Sequence, residues 1–214
     1  MFSAHIVFCD INNHSTLNFE ERVQILDKYW DICEKYKPKD LNKYSFYETD
    51  NDSFMAGFSD QVGFFSGYDI LNLIGMLVND FSKINISVSF GINLMACRQP
   101  LEWVKLPGFV NNNEFLHMPD KVFDKIGKIQ RSKLAGDALI ITSRLQSLAK
   151  KLGVLGCVSI FQDGHINDLN SYKLKNGKKI KAKIVSYDDC QKLGREHCDW
   201  LLERKIKAYS IELL

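Results

Sequence analysis

Proline and glycine are scarce in this 214-residue sequence, at 4 and 13. That scarcity excludes collagen-like repeats and linker-like low complexity. A surplus of one charge is also missing: 28 Lys and Arg face 26 Asp and Glu, for a formal net charge of +2. So balanced a chain does not hold nucleic acid by bulk charge. The cysteines (Cys9, Cys33, Cys97, Cys157, Cys190 and Cys198) form no CxxC pair. A chain this long needs no disulfide staples, so they read as scattered reduced thiols of a cytoplasmic protein. The start, Met1-Phe2-Ser3-Ala4-His5, has neither the basic segment nor the apolar core of a secretory signal. The longest apolar pattern, from Ile70 to Val78, is interrupted by Asn72 and Gly75 and stopped by Asn79. That is far short of the roughly 20 apolar residues of a membrane span. His14, His117, His165 and His197 show no metal-ligand spacing. What is left is one globular domain with no membrane and no nucleic-acid partner.

What is there reads in order. His5 to Asp10 is a short apolar strand ending on a carboxylate. Ser15-Thr16 marks the entry to a helix whose apolar positions (Val23, Ile25, Leu26, Tyr29, Trp30, Cys33) recur at helical spacing. Tyr44–Glu48 and Ser53–Phe58 are short strands, and Thr49-Asp-Asn-Asp52 between them is turn chemistry, so the pair is a hairpin. A second helix covers roughly 68 to 81, and a strand follows from Ile86 to Leu94. Strand–helix–strand–strand–helix–strand is the order of a ferredoxin-like core, an α+β fold with an antiparallel sheet and helices on one face. Residues 97 to 131, with Pro100, Pro107, Gly108, Asn111 to Asn113 and Pro119, read as an insertion with one short helix near 120 to 129. A helix over 136 to 151 comes next, then strands near 154–161, 171–175 and 181–187. The expected domain thus spans 1–187, and 188–214 reads as a C-terminal helical extension that packs across a dimer through Trp200 and Leu201. The lysines at 173, 175, 178, 179, 181 and 183 read as the solvated face of a hairpin around Asn176-Gly177.

Asp10 ends the first strand and Asp52 sits in the turn of the neighbouring hairpin. In a ferredoxin-like sheet those places lie side by side at one edge. Two carboxylates there suit a pair of Mg²⁺ or Mn²⁺ ions with a bound polyphosphate. Residues Ile11-Asn-Asn-His-Ser15 lead into a helix start, where main-chain N–H groups favour phosphate. The plainer reading makes both aspartates turn and capping residues.

At this point the sequence resembles the class III nucleotide cyclases, the catalytic-domain family of adenylate and guanylate cyclases. Ile6–Leu17 is similar to that family's first metal motif, and Glu48–Phe58 to its second. Val88–Asn93 resembles its following strand, Gly136–Leu145 its catalytic helix, and Leu174-Lys175 its late phosphate-binding lysine. The motifs fall in the family's order and cover roughly 4 to 187. The resemblance implies two divalent cations, Mg or Mn, held by Asp10, Asp52 and the carbonyl of Ile11. It implies a nucleoside triphosphate substrate whose 3′-hydroxyl attacks the α-phosphorus and expels pyrophosphate. Asn13, His14 and Ser15 would contact phosphate, Arg144 would stabilise charge at the α-phosphate, and Lys175 would pair with the terminal phosphates. The family builds its site between two subunits, so a homodimer is implied.

The departures from the family pattern bear on substrate. Asn51 stands where the family has glycine, a place an Asn backbone tolerates. Ile140 stands where the family has the helix Asn four residues before Arg144. The base-reading positions carry Glu48 and Lys133, a pair that fits neither the adenylate nor the guanylate signature. A carboxylate accepts from a ring N–H and an ammonium donates to a ring carbonyl, which uracil presents side by side. A free-standing cyclase domain with these departures resembles the pyrimidine cyclases of bacterial Pycsar anti-phage systems. Those make cyclic UMP or cyclic CMP for a separate effector. GTP or ATP turnover, and a catalytically weak nucleotide-binding homologue in which Ile140 costs activity, stay open beside that reading. Glu48 and Lys133 also read as an ordinary surface ion pair, and Arg144 as an ordinary helix-surface arginine.

Overall fold

The computed structural model describes residues 4–36, 44–50, 52–59, 67–94, 102–105, 132–159, 169–186, 188–189, 199 and 206–214. The first half follows the expected order: β1 (Ala4–Ile11), α1 (Phe19–Tyr36), β2 (Tyr44–Asp50), β3 (Ser53–Ser59), α2 (Gly67–Lys83) and β4 (Val88–Asn93). Then come β5 (Glu102–Lys105), β6 (Ser132–Ala135), α3 (Asp137–Leu152), β7 (Gly156–Ser159), β8 (Ile180–Ile184) and β9 (Ala208–Leu213). One seven-stranded sheet runs β2-β3-β1-β4-β7-β9-β8, and β5 pairs with β6 in a separate two-stranded hairpin. The insertion expected at 97–131 therefore contains β5, which pairs with β6 directly after it; the short helix expected near 120–129 lies outside the described residues. The sheet is antiparallel except for β4 and β7, which run parallel because α3 carries the chain across between them.

α1 starts one turn later than Ser15-Thr16 suggests. Residues His14–Thr16 form a single 3-10 turn, and Asn18 caps the helix. The Asn18 side chain accepts from the Glu21 N–H at 2.9 Å while Glu21 accepts from the Asn18 N–H at 3.2 Å, a reciprocal capping box. Val7, Cys9 and Ile11 of β1 and Phe54, Ala56 and Phe58 of β3 alternate inward to meet Tyr29 and Cys33 of α1 and Ile70, Ile74, Leu77 and Phe81 of α2. The two helices of the ferredoxin-like core thus share one face, as expected. α3 covers the opposite face, where Ile141, Leu145, Leu148 and Ala149 pack on Cys157 and Ala208. β4 and β7 are buried along their whole length because they are covered from both sides.

The tail differs from expectation. Ala208–Leu213 is not helix but a strand, placed inside the sheet between β7 and β8. Its pattern runs at period two: Tyr209 and Ile211 are buried in one core while Ala208 faces the other and Glu212 is exposed. The sheet therefore does not end at residue 187. Trp200 and Leu201 lie outside the described residues. The strand expected at 171–175 is a helical turn at its start and a single bridge, Lys173 to Lys179, around the tight turn of Asn176-Gly177. Five of the six lysines of this stretch are exposed, as a solvated face requires. Among the described residues no helix is long and apolar enough to cross a membrane. Cys9, Cys33 and Cys157 are free and buried, and burial pushes the Cys33 and Cys157 thiols up to about 12. They are packing residues, not nucleophiles.

α1 and α2 are tied together at Asp80. Its carboxylate accepts from Lys35 Nζ at 2.6 Å, Lys83 Nζ at 2.7 Å and the Tyr36 hydroxyl at 2.8 Å. Those hydrogen bonds, the one from Lys35 first, hold the Asp80 carboxyl well below the usual carboxylate range. A depressed folded-state value contributes stability that is whole above the unfolded carboxylate range, near pH 4, and is lost as pH falls toward the folded value. Urea unfolding should therefore show Asp80→Asn less stable than wild type at pH 7, with the gap closing as pH drops from about 4 toward 2. A gap that stays constant across that window would assign the loss to packing instead.

Candidate active site

The end of β1 is where the two aspartates meet. β1 and β3 pair so that Asp10 lies opposite Ser53, and the Ile11 N–H donates to the Asp52 carbonyl at 3.1 Å. The strand alternation that buries Cys9 and Ile11 under α1 and α2 turns the Asp10 side chain toward α3. There Asp10 Oδ2 accepts from Lys150 Nζ at 2.7 Å and Gln146 Nε2 at 3.1 Å. Gln146 Nε2 also donates to Ser89 Oγ at 2.8 Å. Lys150 Nζ stands 3.5 Å from the Ile11 carbonyl as well. Asp10 is 16% exposed at its side chain and Asp52 34%.

His14, expected at the phosphate, turns its ring inward. Its Nδ1 donates to Asp52 Oδ2 at 3.1 Å, and its Nε2 is buried without a hydrogen-bond partner among the described residues. Asn13 holds φ 59°, the left-handed conformation that Asn tolerates. The turn is pinned by Thr16, whose N–H and Oγ1 both donate to the Asn13 carbonyl, and by Arg22, which donates to the carbonyls of Ser15 and Leu17. Among the described residues the main-chain N–H groups of Asn13, His14 and Ser15 donate to no main-chain carbonyl. Successive N–H groups next to a left-handed residue form a concave anion seat.

Arg144 and Lys175 are elsewhere. α3 uses one face for Ala138, Ile141, Leu145 and Gln146, while Arg144 and Ile140, one turn apart, lie on its outer side. Ile140 is 50% exposed. Arg144 stands two residues from Gln146, a helical rotation of about 200°, so it points away from the Asp10 of its own chain. Lys175 sits in the turn hung on α2, its N–H donating to Asn72 Oδ1 at 2.8 Å. Asn72 is eleven residues before the end of α2, about 16 Å along the axis. The Asp10 edge is beyond that end, where the Asn12 N–H donates to the Ser87 carbonyl at 2.8 Å. Among the described residues the side-chain partners of Asp10 are Gln146 and Lys150, and that of Asp52 is His14. Glu48 pairs with Met55, itself opposite Phe8 on β1; Lys133 pairs with Val104 in the separate hairpin. Both are placed by backbone register alone.

The donors suit a hard divalent cation. Asp10, Asp52 and the Ile11 carbonyl offer oxygen only, the set that Mg²⁺ or Mn²⁺ prefers. Each carboxylate has one oxygen engaged by the chain and a second with no hydrogen bond among the described residues. No group of three or more His, Cys, Asp or Glu side chains converges on a metal position among the described residues. A cation here would thus rest on two carboxylates, a main-chain carbonyl and its remaining water or phosphate ligands.

No family model and no curated protein matches the sequence. Several solved structures resemble it in three dimensions, two adenylyl cyclases among them. The adenylyl cyclase CyaB from P. aeruginosa superposes with a TM-score of 0.50 and 13% identity, over 98% of this chain and 93% of that one. This is the adenylyl cyclase fold. A bacterial light-regulated adenylyl cyclase gives a TM-score of 0.49 and 12% identity over 94% of this chain, which spans 57% of that protein. Sequence reasoning named Asp10, Asp52 and the Asn13–Ser15 turn but not Gln146 and Lys150, which bond Asp10, or Ser89, which bonds Gln146. The available signal was helical spacing: Gln146 and Lys150 are four apart on one stripe of α3, distinct from the stripe of Ile140 and Arg144.

Proposed function

We propose that the chain is a nucleotide cyclase that acts as a homodimer and converts a pyrimidine nucleoside triphosphate, UTP or CTP, into its 3′,5′-cyclic nucleotide and pyrophosphate. The observation that carries this reading is the meeting of Asp10 and Asp52 at one end of the paired strands β1 and β3, joined by the Ile11–Asp52 main-chain bond, in a cyclase fold. Divalent cations, when bound to Asp10, Asp52 and the Ile11 carbonyl, supply Lewis-acid activation of the 3′-hydroxyl and the phosphates. The N–H groups of Asn13, His14 and Ser15 seat phosphate. Arg144 and Lys175 of the partner subunit stabilise charge at the α-phosphate and at the leaving pyrophosphate. The placement of Arg144 on the outer side of α3, away from the Asp10 of its own chain, supports this division of labour. Ile140 contributes an apolar contact where the family has an amide.

Glu48 and Lys133 support the pyrimidine. A carboxylate for N3–H and an ammonium for O4 match uracil; guanine presents a similar pair, and adenine has no ring carbonyl. The cyclic product would serve as a second messenger, read by a separate effector in anti-phage defence. The test is incubation with Mn²⁺ and each of the four ribonucleoside triphosphates, with products identified by chromatography and mass. Cyclic UMP or cyclic CMP should dominate, and Asp52→Asn should remove it. Turnover of ATP alone would overturn the base assignment, and no cyclic product from any triphosphate would overturn the cyclase.

A further inference from the structure

We propose that Lys150 is a built-in counter-ion that fills the cation position at Asp10, so that a divalent metal binds only by displacing its ammonium. The proposal rests on the metal-site reading above and deepens it. Lys150 Nζ lies 2.7 Å from Asp10 Oδ2 and 3.5 Å from the Ile11 carbonyl, two of the three groups assigned to the metal. An ammonium and a divalent ion do not share those oxygens, because their repulsion at contact distance exceeds what solvent screens.

The surroundings divide the work between two residues four apart. Gln146 is buried and neutral, and its amide joins Asp10 to Ser89. It fixes the carboxylate whether or not a metal is present. Lys150 is 40% exposed at its side chain and belongs to the last turn of α3, which ends at Gly153 in a left-handed cap. Its flexible stem can carry the ammonium into water at small cost. Without metal it spares Asp10, itself largely buried, from standing as an uncompensated charge. Metal affinity is then set by a competition between two cations for one carboxylate.

The experiment reads Mn²⁺ binding directly, by the free-ion paramagnetic resonance signal and by calorimetry, on the full chain without nucleotide. Lys150→Met keeps the stem and deletes the charge; it should bind Mn²⁺ about tenfold more tightly than wild type. Lys150→Arg keeps a cation and should stay near wild type. Asp10→Asn should lose the site. Binding by Lys150→Met no tighter than wild type, with Asp10→Asn still losing the ion, would overturn the competition and leave the metal site standing. Tightening by Lys150→Arg equal to that of Lys150→Met would also overturn it, because charge would not be the cause. Binding unaffected by Asp10→Asn would remove the metal site itself.

Discussion

An Asp10→Ala protein and an Arg144→Ala protein, each down by two to three orders of magnitude alone, should regain about a quarter of wild-type turnover when mixed. The figure follows from the shared-site proposal. Random exchange makes about half of the dimers mixed, and each mixed dimer has one site with both residues intact and one with neither. The structural basis is the rotation of α3. Gln146 and Lys150 face the Asp10 of their own chain, so Arg144 faces outward. A self-contained site would need Arg144 on the inner stripe. Subunit exchange is checked by co-purification of differently tagged chains, and turnover by the cyclic product. Tagged mixed dimers that stay inactive would mean that Arg144 does not serve the Asp10 of another subunit.

The same helix shows why part of the site was legible in the sequence and part was not. β1, the β2–β3 hairpin and the Asp10–Asp52 pair follow from local chemistry: an apolar run that ends on a carboxylate, then a turn of Asp and Asn. Adjacent antiparallel strands convert that local pattern into proximity. Helical spacing puts Gln146 and Lys150 on one stripe, but their contacts with Asp10 span 136 and 140 residues, and no short-range pattern says which carboxylate that stripe meets. They exist because α3 crosses from β4 to β7 over the face that Asp10 presents. The inward turn of His14 was hidden for a related reason. Its spacing places it in the turn after β1, but its ring orientation is set by Asp52, 38 residues away. β9 was missed because Ile206, Ala208, Tyr209 and Ile211 are too few to separate period two from a helical stripe. Only the pairing of β9 with β7 and β8 decides between them.

Gly91→Ala should be among the most damaging small substitutions in the protein, because α3 rests directly on the backbone of β4. A Cβ at Gly91 would stand 2.1 Å from the Thr142 carbonyl oxygen and 2.6 Å from the Gln146 nitrogen. Both are helix backbone, so no side chain can move aside; the whole helix must lift. Overpacking of this kind costs at the upper end of about 1–3 kcal/mol, and for a domain of this size about 3 kcal/mol lowers the melting temperature by roughly 6–12 °C. Gly153→Ala is the matched control. Its φ is +65° and nothing lies within 4 Å of the added carbon. Its cost is therefore only the left-handed strain, about 1–2 kcal/mol. The two substitutions also separate fold from site. Lifting α3 at Gly91 draws Gln146 off Asp10 and Ser89, so catalysis should fall even in the protein that remains folded at low temperature. Gly153→Ala leaves that contact in place and should keep its turnover. A melting temperature for Gly91→Ala equal to that of Gly153→Ala would mean that α3 does not sit on β4 at contact distance, and the placement of Lys150 and Gln146 over Asp10 would fall with it.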